Sequence, residues 1–291
     1  MKKNTITQGK DVDFVWKKDI LSEVYGTKET STLIVFHQNE KGFAPFLAGM
    51  GLIGEAEPVC HIYSKLFDVP AYNSAPEPTF PEWRLYQTFN DVGRRFFILR
   101  MTHVYPLPTV NGGDNTWIYS YPILRDIVME LNDYGVNELV YLTTNQMQSS
   151  IGYEPQNYAM LDPDDVVVYD YCLPDEDPMT TTGLVVEKDV VLPSPVWTFP
   201  AIFLDFCTNC IKGCWIALGY SDRNLFIDRD TAEQLIKYCD KTFGLNNTSV
   251  SRMDKLESLL LDLEELTDIP TLDRIMNSEE FSSGGFFDEW V

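Results

Sequence analysis

Short, wholly apolar runs alternate along this chain with longer amphipathic ones, and glycine, proline and asparagine punctuate them. Leu33-Ile34-Val35-Phe36 is the first such run, and its β-branched content without polar interruption predicts a strand buried on both faces. Gly42 then opens Phe43–Ile53, an apolar stretch rich in small residues that reads as a compact helix. Pro58–Ser64 predicts a second strand. Pro70, Pro76, Pro78 and Pro81 make Val69–Glu82 an extended surface loop, since each proline removes a backbone donor. Trp83–Phe89 alternates like a half-exposed strand, Asn90-Asp91-Val92-Gly93 supplies a turn, and Arg95–Met101 returns, which together predict a hairpin.

Further on, Ile118, Tyr121, Ile123, Ile127, Val128 and Leu131 give Thr116–Asn132 a helical apolar face, and Asn132-Asp133-Tyr134-Gly135 stops it. Glu138–Leu142 follows as a buried strand, and helix, short turn, buried strand is how parallel α/β sheets are assembled. Val166–Tyr169 predicts a strand, Pro200–Cys214 a strongly apolar helix and Trp215–Tyr220 another buried strand. Asp228–Phe243 predicts a helix with Asp228 or Asp230 as N-cap and Gly244 past its end. Ser251–Leu266 reads as a last helix with an acidic exposed face. The expected organisation is an N-terminal extension over 1–30, an α/β domain over 31–247, a C-terminal helix over 248–268 and an acidic tail over 269–291.

Charge narrows the choice of partner. Among 291 residues, 22 Lys and Arg face 44 Asp and Glu, a net charge of −22. A field of that sign repels phosphate backbones and anionic membrane surfaces and attracts a basic protein surface, although an acidic exterior also serves solubility alone. No segment approaches the run of about 18 apolar residues that a membrane helix needs, and the polar start lacks a signal-peptide core. The expected compartment is the cytoplasm, with the six cysteines as reduced thiols.

Candidate chemistry is sparse. Cys207, Cys210 and Cys214 are spaced i, i+3, i+7, one face of the predicted helix, among Ile202, Phe203, Leu204, Phe206 and Ile211. Buried thiols of that kind behave as small hydrophobes, so core packing is expected, with a thiol or metal role as the lesser reading. His37 ends the first strand, where open α/β sheets place ligands, while His61 lies inside the second strand and His103 follows the Arg95–Met101 strand. The loop His37–Gly42 holds Glu40 and a single glycine, which does not suit a pyrophosphate cradle. Asp162, Asp164, Asp165 and Asp175-Glu176-Asp177 read as solvated loops. Neither a catalytic residue nor a metal or cofactor is assigned.

The succession of Leu33–Phe36, the small-residue helix, Glu57–Phe67, the Trp83–Met101 hairpin, Tyr121–Leu142, Phe199–Tyr220 and Asp230–Leu245 resembles the proteasome assembly chaperone family, in particular its archaeal and actinobacterial members, over roughly residues 31–247. The resemblance implies an α/β fold, a phosphorylase/hydrolase-like three-layer sandwich with a mostly parallel central sheet and here a C-terminal helical appendage. It also implies homo-oligomerisation and a non-enzymatic role as chaperone or adaptor for proteasome α-subunits. Some members carry a C-terminal aromatic tail that docks between α-subunits. This chain ends with a Gly284-Gly285 hinge and then Phe286, Phe287, Trp290 and Val291, a candidate docking tag or a segment that folds back on its own domain. The competing reading is an enzyme of the same fold acting on a small molecule at the strand ends, with His37, Glu40, Gly42 and His103 forming the pocket.

Overall fold

The computed structural model describes residues 5–8, 11–17, 30–37, 43–67, 82–101, 116–146, 166–170, 194–221, 227–245 and 253–258. Among the described residues, nine strands form one sheet: β1 (Thr5–Gln8), β2 (Val12–Trp16), β3 (Ser31–His37), β4 (Cys60–Ser64), β5 (Trp83–Phe89), β6 (Arg95–Met101), β7 (Val136–Gln146), β8 (Val167–Asp170) and β9 (Gly213–Ser221). Among the described residues, these longer helices accompany them: α1 (Ala44–Ile53), α2 (Thr116–Asn132), α3 (Ser194–Phe206) and α4 (Arg229–Phe243). The order across the sheet is β1-β2-β4-β5-β6-β3-β7-β9-β8.

Only the central quartet β6-β3-β7-β9 is parallel. The wing β1-β2-β4-β5-β6 and the far edge β9-β8 are antiparallel, which corrects the expectation of a mostly parallel sheet to a mixed sheet with a parallel centre. The cause is plainest at the β5–β6 hairpin. A parallel neighbour requires a long crossover, whereas β5 and β6 are joined by a tight turn and must pair antiparallel. Asn90 builds that turn, its side-chain oxygen accepting from the backbone N–H groups of Val92 (3.2 Å) and Arg94 (2.8 Å).

The period-two side chains of the central strands divide between two cores. Leu33, Val35, Phe97, Leu99, Leu139, Tyr141, Ile216 and Leu218 face one side, which α2 and α3 cover with Ile127, Leu131, Phe199 and Phe203. Ile34, Phe36, Phe96, Ile98, Val140 and Leu142 face the other, covered by α1 and by Leu235, Tyr238 and Phe243 of α4. Helices therefore lie on both faces. All ten residues of α1 are buried, which is why that helix is apolar all round. The helical residues 253–258 add Met253 and Leu256 to the second core.

Several local expectations change. The stretch 1–30, expected as an extension, supplies β1 and β2, and Trp16 is fully buried, stacked on Tyr134 at 4.4 Å and donating to Glu130 at 2.8 Å. Strand β5 is not half-exposed, since Trp83, Arg84, Leu85 and Tyr86 are all buried. The helix expected at Pro200–Cys214 lies instead at Ser194–Phe206, with Pro200 inside it, while Gly213 and Cys214 open β9. A side chain of another element ends that helix: Asn132 donates to the Phe206 carbonyl at 3.0 Å and accepts from the Thr208 N–H at 3.0 Å. The apolar run crosses the boundary without a break, so composition alone concealed the switch of period. No helix among the described residues is long and apolar enough to cross a membrane.

Candidate functional site

Strand β3 runs parallel to β6, with His37 opposite Met101 at their carboxyl ends. The chain leaves β3 for α1 on one face and leaves β6 for α2 on the other. Neighbouring strands whose helices depart to opposite faces form a switch point, the place where open α/β sheets bind ligands. The His37 backbone therefore stands where the sequence placed it. Its side chain, together with Glu40, Gly42 and His103, lies outside the described residues, as do Phe286, Phe287, Trp290 and Val291.

On the α1 side of this end, β4, β5 and β6 assemble a charged group. Arg84 is paired across the ladder with His61 on one side and Arg100 on the other. Glu82, one residue before β5, ties the group together. Its carboxylate lies 2.9 Å from His61 Nδ1 and accepts from Arg84 Nε at 2.5 Å. Burial alone would raise the Glu82 carboxyl, but hydrogen bonds from His61 and Tyr63 and the charge of Arg84 outweigh it and hold the group at about 2. Burial and the same carboxylate push the Tyr63 phenol well up. Arg100 is 1% exposed, and its guanidinium lies 5.3 Å from the centre of the Phe46 ring at the start of α1. Phe43, before that helix, takes a left-handed conformation with φ 48°.

The chemistry of this group is binding and positioning. A carboxylate already saturated by three donors and held near pH 2 is a feeble base at neutral pH. Its oxygens fix the fork of Arg84 and the ring of His61. Reading the sequence for histidines and glycines found His61 but missed Tyr63, Glu82, Arg84 and Arg100. One signal was present: Arg84 stands between Trp83 and Leu85 and Arg100 between Leu99 and Met101, and charged side chains are almost never fully buried without a partner.

The three cysteines do not share a helical face. Cys207 follows the last residue of α3 and is half-buried, Cys210 is exposed in the next loop, and Cys214 is buried in β9. Cys214 packs in the first core, as expected of it, while the other two are placed differently because the helix stops at Phe206. Among the described residues no three His, Cys, Asp or Glu side chains converge as metal ligands would.

No family model and no curated protein matches the sequence. Solved structures do match. The chain is similar to Pyrococcus furiosus PbaB, an archaeal proteasome activator, at 14% identity and TM-score 0.51, over 91% of this chain and all of that one. It is similar to Pyrococcus furiosus PbaA, an archaeal homolog of proteasome-assembly chaperone, at 14% identity and TM-score 0.51, over 97% of this chain and 98% of that one. It is also similar to the Mycobacterium tuberculosis protein Rv2714, of unknown function, at 12% identity and TM-score 0.54, over 97% and 94% of the two chains. At such identities the likeness is one of fold, and over nearly its whole length this chain has the α/β fold of the archaeal proteins PbaA and PbaB.

Proposed function

We propose that this protein is a non-enzymatic assembly chaperone or adaptor that binds proteasome α-subunits, acts in the cytoplasm and works as a homo-oligomer. The observation that carries the reading is the likeness of its fold to PbaB and PbaA over most of both chains. The net charge of −22 supports it, because such a field speeds encounter with a basic protein surface and disfavours nucleic acid. The Glu82 group supports it as well, since its carboxylate is committed to holding neighbours in place. We assign the sandwich, with its parallel quartet between helices on both faces, to the phosphorylase/hydrolase-like arrangement. Phe286, Phe287, Trp290 and Val291 are the proposed anchors, three aromatic side chains and one aliphatic on a short peptide after a glycine hinge.

The test is capture of purified proteasome α-subunits by the full-length chain at low and high salt. Retention that weakens as salt rises is the expected result, and deletion of 282–291 should abolish it without lowering the melting temperature. Retention of no α-subunit at any salt overturns the reading, whereas retention that survives the deletion removes only the tail from it.

A further inference from the structure

We propose that the two edges of the sheet pair with one another between copies of this chain, β1 of one copy against β8 of the next. The inference rests on the homo-oligomer of the proposed function and names the surface that builds it. Among the described residues the sheet begins at β1 and ends at β8, each four residues long. An edge strand presents a row of backbone donors and acceptors to any strand that fits it, and proteins that must stay apart blunt such edges with charge, proline or a bulge. Thr5-Ile6-Thr7-Gln8 has none of these, and its ladder with β2 runs unbroken from Thr5 opposite Trp16 to Gln8 opposite Asp13. Strand β8 is likewise free of proline, and Val168, buried in the second core, fixes the face that β8 turns inward.

The ladders fix the directions. Outward from the parallel quartet, β5 and β2 run against it, β4 and β1 run with it, and β8 on the far side runs against it. Strands β1 and β8 of one chain are therefore antiparallel. A second copy set beside the first in the same orientation brings its β8 antiparallel to β1, with helices continuing on the same two faces. Antiparallel pairing is the more stable of the two ladders per residue, which matters for strands this short.

Charge selects the partner. The first ten residues hold Lys2, Lys3 and Lys10 and no acid, in a chain of net charge −22. Asp11, next in sequence, is met by Arg125 and Lys65, each at 3.4 Å. The other edge is the reverse. Asp162, Asp164 and Asp165 precede β8, Asp170 ends it, Asp175-Glu176-Asp177 follows, and no Lys or Arg stands between Arg125 and Lys188. Joining β1 to β1 would set lysines against lysines, and joining β8 to β8 would set carboxylates against carboxylates. Only β1 against β8 brings unlike charges together. In the length-matched register Thr5 falls opposite Asp170 and Gln8 opposite Val167. By the count of residues, Lys10 and Asp165 then meet at one end, and Lys3 stands beside the Thr5–Asp170 pair at the other. Such a contact is heterologous, so each copy keeps one edge of either kind and assembly continues past a dimer.

The experiment is sedimentation velocity of the full-length chain over a concentration series in about 0.15 M salt, where the screening length is about 8 Å. That screens most of the repulsion between whole acidic bodies, while residues opposite one another in a ladder, about 5 Å apart, still interact. The expected result is an assembly of more than two copies. Thr5→Asp sets like charges opposite Asp170, and Asp170→Lys sets them beside Lys2 and Lys3. Each should raise the concentration of half-assembly by about fivefold. An equimolar mixture of the two variants should return to within about twofold of the parent, since each supplies the edge that the other lacks, and that recovery shows both to be folded. Assembly that neither variant alters overturns the edge pairing and leaves the homo-oligomer standing. So does a variant that acts while the other is inert, or a parent that stops at two copies. A chain that stays single at every concentration overturns the pairing and the homo-oligomer together.

Discussion

The ring of Phe36 lies against the backbone of Gly49 so closely that a Cβ on Gly49 would sit 2.2 Å from the Phe36 Cδ1 atom. Phe36 belongs to the second core, and Gly49 is buried in the middle of α1, which packs on it. Gly49→Ala therefore forces the helix or the ring to move, despite the better helix propensity of alanine. The expected cost is about 1–3 kcal/mol, the range for an overpacked core, read from urea unfolding at constant m value. Phe36→Leu in the same chain should recover part of it, and full additivity of the two changes would show that the contact is not the cause.

Acid should weaken the fold through Glu82. Its carboxyl is held at about 2 in the folded chain against 4.5 for an ordinary glutamate. The folded state thus binds its proton less readily than the unfolded state. The contribution is complete above about pH 4.5 and is lost as pH falls from there toward 2, an effect on the order of 3 kcal/mol. Glu82→Gln should lower stability at pH 7 and flatten the acid limb over that window in a series of denaturant melts. An unchanged acid limb would assign it to other carboxylates.

Arg229 fastens residues 253–258 to the start of α4. It pairs with Glu233 at 3.0 Å on its own helix, and with Asp254 at 2.6 Å and Glu257 at 2.7 Å on the following one. The hydrogen bonds that Arg229 donates to these three carboxylates push the guanidinium further up from its already high value. These groups are partly exposed, so solvent and salt screen them, and Arg229→Ala is expected to cost only about 1 kcal/mol. Hydrogen exchange over 253–258 should accelerate in that variant at low salt, and the difference from the parent should shrink at high salt. Met253 and Leu256 keep an apolar hold on the core, so complete detachment is not expected.

Asp228 accepts from the Thr231 N–H at 3.0 Å and from the Thr231 hydroxyl at 3.0 Å, capping α4 in a buried setting. Asp228→Ala should destabilise by about 1–2 kcal/mol, and Asp228→Asn by less, since an amide oxygen still caps the helix. Thermal unfolding of the pair checks the order. Equal losses would mean that charge, not the cap, carries the effect.

Local order was legible in the sequence. The hairpin strands Trp83–Phe89 and Arg95–Met101, helix Thr116–Asn132, and the Asp228 and Gly244 limits of α4 stand where pattern and capping chemistry put them. Each depends on residues within a few positions of one another, through turn geometry, helix periodicity or a side chain that reaches the next backbone N–H. The net charge, and with it the class of partner it favours, is likewise a property of the sequence alone.

What the sequence could not decide depends on residues far apart in the chain. Val12–Trp16 carries an apolar pattern, but only its pairing with β4 and the stacking of Trp16 on Tyr134 make it a core strand. The end of α3 is decided by Asn132, 74 positions from the carbonyl it binds, and that distant contact moved Cys207 and Cys210 off a helix and onto a loop. The Glu82 group draws on side chains of β4, β5 and β6, with His61 and Glu82 21 positions apart. Hydrophobic pattern specifies which faces must be buried. Which buried faces meet, and which polar groups then need one another to offset the loss of water, is decided only when the whole sheet closes.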